Sequence, residues 1–126
     1  MAKKQTKIKD NFSSNFREAA DLYERSYEDD KLINESLEKC KMLINNYPAS
    51  GKPHFLLSLI SLRLGDEGQA ITMCELAHKL EPEVKEFAET LANIYARIGQ
   101  LSDGLYFAKI AQTLEKDNYL SKIMPD

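Results

Sequence analysis

Apolar residues recur every three or four positions along most of this chain. Phe16, Ala19, Ala20, Tyr23 and Tyr27 form one such row, and Phe87, Leu91, Ile94, Tyr95 and Ile98 form another. That period is the signature of helices with one buried face. No convincing run of alternating apolar and polar residues, the mark of a strand, interrupts it. The pattern predicts six helices, near 16–29, 31–46, 52–64, 67–80, 83–98 and 102–115. Asn15 with Glu18, and Asp66 with Gln69, have the spacing of a capped helix start.

Displacing the chain by 34 residues brings like onto like. Pro48 falls on Pro82, Leu64-Gly65 on Ile98-Gly99, and Cys40 on Cys74 and then Ala108. Leu37, Ile71 and Leu105 align, as do Tyr23, Leu57 and Leu91. Three copies fit, at 17–50, 51–84 and 85–118, each with room for two helices and a tight turn. Gly65 and Gly99 fall where a first helix must stop in the left-handed conformation. Pro48 and Pro82 follow the second helices. Small residues (Ser58, Ala92, Ala70, Ala77, Gly104, Ala111) recur where paired helices would approach closely.

This skeleton resembles the tetratricopeptide repeat family. In the second copy it reads Leu57-Ser58, Ser61, Gly65, Ala70, Cys74, Ala77, Pro82, and in the third Leu91-Ala92, Tyr95, Gly99, Gly104, Ala108, Ala111. The first copy departs from it, with Glu24 for a small residue, Lys31 for the turn glycine and Leu43 for alanine. The resemblance implies an all-α, right-handed superhelical solenoid of three helix–turn–helix units over residues 16–118. Residues 1–15 are expected as a flexible basic arm and residues 119–126 as a short stub, either capping the last copy or leaving that end to another chain.

In that family the first helices line a concave groove. Carrying its groove positions over and keeping the chemically distinctive ones gives Arg25, Phe55, Leu59, Leu62, Arg63, Asn93 and Arg97 as the candidate protein-binding residues. Leu57, Ile60, Ser61 and Leu64 form the expected core face of the middle helix. Phe55, Leu59 and Leu62, spaced i, i+4, i+7, point elsewhere. A helix apolar nearly all round is buried on both sides. Either a partner's peptide or amphipathic helix fills the second side, or the chain's own helices or the arm (Ile8, Phe12) cover it. The carboxylate clamp of chaperone-binding relatives is not matched: its positions read Asp21, Arg25, Leu56, Glu86 and Thr90.

Charge and composition narrow the function further. The 126 residues carry a net charge of −3, with Lys3, Lys4, Lys7 and Lys9 at the start, which disfavours a dedicated nucleic-acid binder. The most apolar stretch, Phe55 to Leu64, is too short for a membrane span, and the start has no signal-peptide core. Cytoplasmic residence is the expectation. Cys40 and Cys74 lack metal-ligand spacing and read as small core residues. His54 and His78 come with no nucleophile to orient, and Gly65-Asp66-Glu67-Gly68 lacks the lysine of a phosphate loop. Tyr23, Tyr27 and Tyr95 read as core-facing. No catalytic residue, metal or cofactor is therefore expected. The expected function is a non-catalytic protein-interaction module. Two alternatives are a secretion chaperone and the N-terminal recruiting region of a larger enzyme such as a protein glycosyltransferase. A homodimer through a solenoid end is the other partner expectation.

Overall fold

The computed structural model describes the backbone of residues 2–123 and the side chains of residues 11–123. The described chain is all-α. Its helices are α1 (Ala2–Arg25), α2 (Leu32–Asn46), α3 (Gly51–Arg63), α4 (Glu67–Leu80), α5 (Lys85–Arg97) and α6 (Leu101–Ile123). They pair as antiparallel hairpins α1–α2, α3–α4 and α5–α6, and each hairpin packs on the next through α2–α3 and α4–α5. α1 also touches α3, while α2 and α4 make no comparable contact, so α1 and α3 lie on the inner side where the first two hairpins meet.

The second and third hairpins turn in the same way. Gly65 and Gly99 hold φ of 84° and 86°, a conformation open to glycine without steric cost. In each turn two amides bond back to the orphan carbonyls of the first helix: Gly65 to Leu62 and Asp66 to Ser61, then Gly99 to Ala96 and Gln100 to Tyr95. Asp66 then caps α4, its Oδ1 accepting the Gln69 amide at 3.0 Å. The Gln69 side chain does not reciprocate, because its Oε1 accepts the Ser61 hydroxyl at 2.9 Å.

Within each hairpin the helices touch at one small residue. Gly104 lies so close to α5 that an added Cβ would sit 3.2 Å from the Ala92 carbonyl oxygen. Ala70 and Ser36 occupy the same position one and two repeats earlier, both fully buried. Ser36 donates to the Ala19 carbonyl at 2.7 Å, so even the polar member is satisfied.

The first hairpin departs from the plan. α1 ends at Arg25, four residues short of where α3 and α5 end after a 34-residue shift, and a six-residue loop replaces the three-residue turns. Its buried row is shifted by one helical turn. Ala19, Leu22 and Tyr23 stand where Leu57, Ile60 and Ser61 stand in α3, an offset of 38 rather than 34. The cause is Lys31. It sits at φ −64°, not in the left-handed region, so the tight turn is not made. The loop instead uses an Asx turn, with Asp29 Oδ1 accepting the Lys31 amide at 3.1 Å.

Four sequence expectations change accordingly. Residues 2–15 continue α1 as helix, where an arm was expected, and Asn15 is interior to it, not a cap. Phe12 anchors this extension, stacked on Phe16 (centroids 6.2 Å) and edge-on to Tyr47 (4.7 Å). α6 likewise continues to Ile123, through the start of the expected stub. Leu64 and Tyr27 are not core: they are 54% and 62% exposed. The side chains of Lys3, Lys4, Lys7, Ile8 and Lys9 lie outside the described residues.

Candidate protein-binding face

The seven residues that mark the groove in the sequence do not form one open surface. Phe55 is half-buried, its ring 4.8 Å from Phe87 on α5. Leu59 is half-buried against the core that includes Leu57 and Ile60. Leu62 is half-buried as well. The neighbouring helices therefore take up part of the apolar row, as one of the two readings of α3 required. Phe12 packs on Phe16 and Tyr47 against the same core as Leu59. What remains of Phe55, Leu59 and Leu62 is an apolar seam, narrower than an exposed patch.

The flanking cations differ from one another. Arg63 is engaged inside the molecule. Its guanidinium lies 3.8 Å from the centre of the Tyr27 ring and donates to Ser26 Oγ and the Ser26 carbonyl at 3.0 and 3.1 Å. These bonds satisfy the carbonyl end of α1 that the missing glycine turn would otherwise serve. Ser26 is fully buried and also donates to the Tyr23 carbonyl at 2.5 Å. Arg63 is thus a strut between the first two hairpins before it is a ligand contact. Arg25 is exposed and pairs with Asp21 at 3.2 Å, a solvent-screened contact of small energy. Arg97 and Asn93 are exposed on α5, and Asn93 also borders the cleft between α5 and α6. Lys52 is exposed at the start of α3, 6.0 Å from the centre of the Phe16 ring.

Ser26 and Ser36 escaped sequence reasoning. A serine is not diagnostic by itself, and the 34-residue frame put Ser26 opposite Ile60 instead of at a helix end. Only Glu24 at a small-residue position and the absent glycine at 31 hinted that the frame slipped.

The chemistry of the remaining groups is that of packing. The Cys40 thiol donates to the Pro53 carbonyl at 2.9 Å and the Cys74 thiol to the Phe87 carbonyl at 3.4 Å. Burial pushes both thiols up to about 12, so neither is a ready nucleophile. Tyr95 donates to Glu75 at 2.6 Å, and that bond, more than burial, raises the phenol to about 12. His54 bonds the Ser50 carbonyl at 2.7 Å, while His78 lies edge-on to Phe107. Among the described residues no cluster of His, Cys, Asp or Glu is placed to hold a metal, and no helix is long and apolar enough to cross a membrane.

These features define a class of fold: an all-α solenoid of three tetratricopeptide-type hairpins. No family model and no curated protein matches the sequence. Solved structures do. MamA from Desulfovibrio magneticus RS-1 is 18% identical, with a TM-score of 0.74 over 84% of this chain and 57% of that one. The type III secretion translocator chaperone SycD of Yersinia enterocolitica is 16% identical, with a TM-score of 0.74 over 92% of this chain and 84% of its own. The O-GlcNAc transferase of Thermobaculum terrenum is 21% identical, with a TM-score of 0.70 over 84% of this chain and 20% of that one. The chain thus spans little more than half of the MamA chain it matches. At these identities the likeness is one of fold.

Proposed function

We propose that this chain is a non-catalytic protein-binding module whose concave face takes a peptide or amphipathic helix. The carrying observation is the apolar row Phe55, Leu59 and Leu62 on the central first helix, which its neighbours cover only in part. A partner's apolar side chains would complete that burial, worth about 25 cal/mol per Å² removed from water. Exposed Lys52, Arg25, Asn93 and Arg97 around it orient the ligand and set association rate more than affinity. SycD, of the same fold, has been solved with a peptide of the translocator YopD, which supports peptide capture as something such a stack can do.

The test is selection from a random peptide library displayed on phage, run on the wild-type chain and on Leu59→Asp/Leu62→Asp, with circular dichroism to verify the helices. Peptides enriched by the wild type and lost by the variant support the reading. Identical selections from both proteins refute it.

A second reading, a chaperone that covers an apolar segment of an exported protein, is favoured by the extent of a shared fold. SycD and this chain match over most of both. Under that reading the bound peptides are apolar segments of one secreted protein, and co-expression keeps that protein soluble. Failure to raise its solubility would leave the general module as the better description.

A further inference from the structure

The cleft between α5 and α6, the last described helices, carries a different inference, independent of the apolar row on α3. Among the described residues, six of the nine large exposed apolar side chains are on α6: Leu101, Leu105, Tyr106, Tyr119, Leu120 and Ile123. The open cleft beside it has a volume of about 380 Å³ and is lined by Leu105, Ala108, Lys109 and Gln112 among others, together with Glu89 and Glu115, whose carboxylates both face Lys85 at 3.8 and 3.6 Å.

The two internal joints show what such a surface receives. Cys40 on α2 is sealed by the Pro53 carbonyl of α3, and Cys74 on α4 by the Phe87 carbonyl of α5. Ala108 is the same position on α6, and it is exposed. The polar contact of the joint also has its equivalent. Glu75 on α4 accepts the Tyr95 hydroxyl of α5 at 2.6 Å. One repeat on, the residue is Lys109, exposed and in no ion pair among the described residues. The charge at the joint is reversed.

We infer that the α5–α6 cleft binds an amphipathic helix of a partner protein, seated as α5 is seated on α4, with an Asp or Glu at the position of Tyr95 to meet Lys109. Two alternatives fit less well. The face of α1 that would receive a head-to-tail copy is polar, with Asn11, Asn15 and Glu18 exposed. An antiparallel α6–α6 pair about Gln112 would set Lys109 level with Glu115 of the second copy, but Glu115 is already held by Lys85 at 3.6 Å, so that pairing competes with an existing contact.

The probe is a 15-residue helical peptide, hydrocarbon-stapled on its outward face, that copies residues 84–98 with Tyr95→Glu. It is titrated into the full chain by fluorescence anisotropy, with sedimentation on the protein alone. The expected result is saturable binding, lost at least tenfold in Ala108→Arg, which fills the cleft from an exposed position. Lys109→Glu should weaken binding roughly threefold, and the Tyr95→Lys peptide should restore it on that variant. Absence of binding, or equal binding to Ala108→Arg, overturns the inference. A concentration-dependent dimer that Ala108→Arg dissociates also overturns it, by giving the cleft to a second copy.

Discussion

The first hairpin and the two after it reach the same packing by different turns. In the later hairpins a left-handed glycine, Gly65 or Gly99, folds the chain back over three residues, and the helix-end carbonyls are served by local amides. In the first, Lys31 stays right-handed, the loop lengthens to six residues, and Arg63 of the next hairpin serves the end of α1. The same backbone requirement is met locally in one place and by a long-range side chain in the other. A repeat that has lost its glycine becomes dependent on its neighbour.

The sharpest way to break this comparison is Arg63→Ala. Removing charged hydrogen bonds to Ser26 and the stacking on Tyr27 should cost about 2 kcal/mol, read as a shift of the urea midpoint. Arg97→Ala, at the same position one repeat later and exposed, should stay within about 0.5 kcal/mol. Equal losses would mean that Arg63 is no strut. Next in size, Gly65→Ala and Gly99→Ala should each cost about 1 kcal/mol, since alanine is strained at those φ values. Smaller still is Lys31→Gly. If the first hairpin merely lacked its glycine, restoring it would stabilise the protein. With the turn built on Asp29 and Ser26, glycine should instead cost a few tenths of a kcal/mol by freeing the unfolded chain.

The smallest effect at neutral pH compares Cys40 and Cys74 with Ala108. Both thiols ionise near 9 when unfolded and near 12 when buried, so the unfolded chain loses its protons first. Their contribution is intact below about 9 and is lost as pH rises towards 12. Cys40→Ala/Cys74→Ala should flatten that alkaline fall in thermal midpoint. An unchanged slope would show that other groups, Tyr95 among them, carry it.

Much of the fold is legible in the sequence because its signals are local and repeated. The span 67–80 for α4 follows from Asp66 and the apolar period, and the turns follow from Gly65 and Gly99. The slip of α1 is only hinted at, by Lys31 in the glycine position and Glu24 in a small one, and the contact that serves its end, Arg63 on Ser26 from 37 residues away, is announced by no local pattern. The helical state of residues 2–15 is equally hidden. Their polar composition suits an arm, while Phe12 and Tyr47 meet only in three dimensions. The candidate face is legible in its residue types and less so in its openness. The period shows that Phe55 points away from Leu57, but not that Phe87 waits for it.

The central claim is that a partner completes the seam on α3. Methyl resonances of Leu59 and Leu62 and the side-chain Nε resonance of Arg97 test it directly, followed during titration with a library-selected peptide. The account predicts that these shift with one common affinity while the methyl groups of Leu76 and Leu80 on α4 stay still. Shifts confined to α4, with Leu59 and Leu62 unmoved, would contradict it.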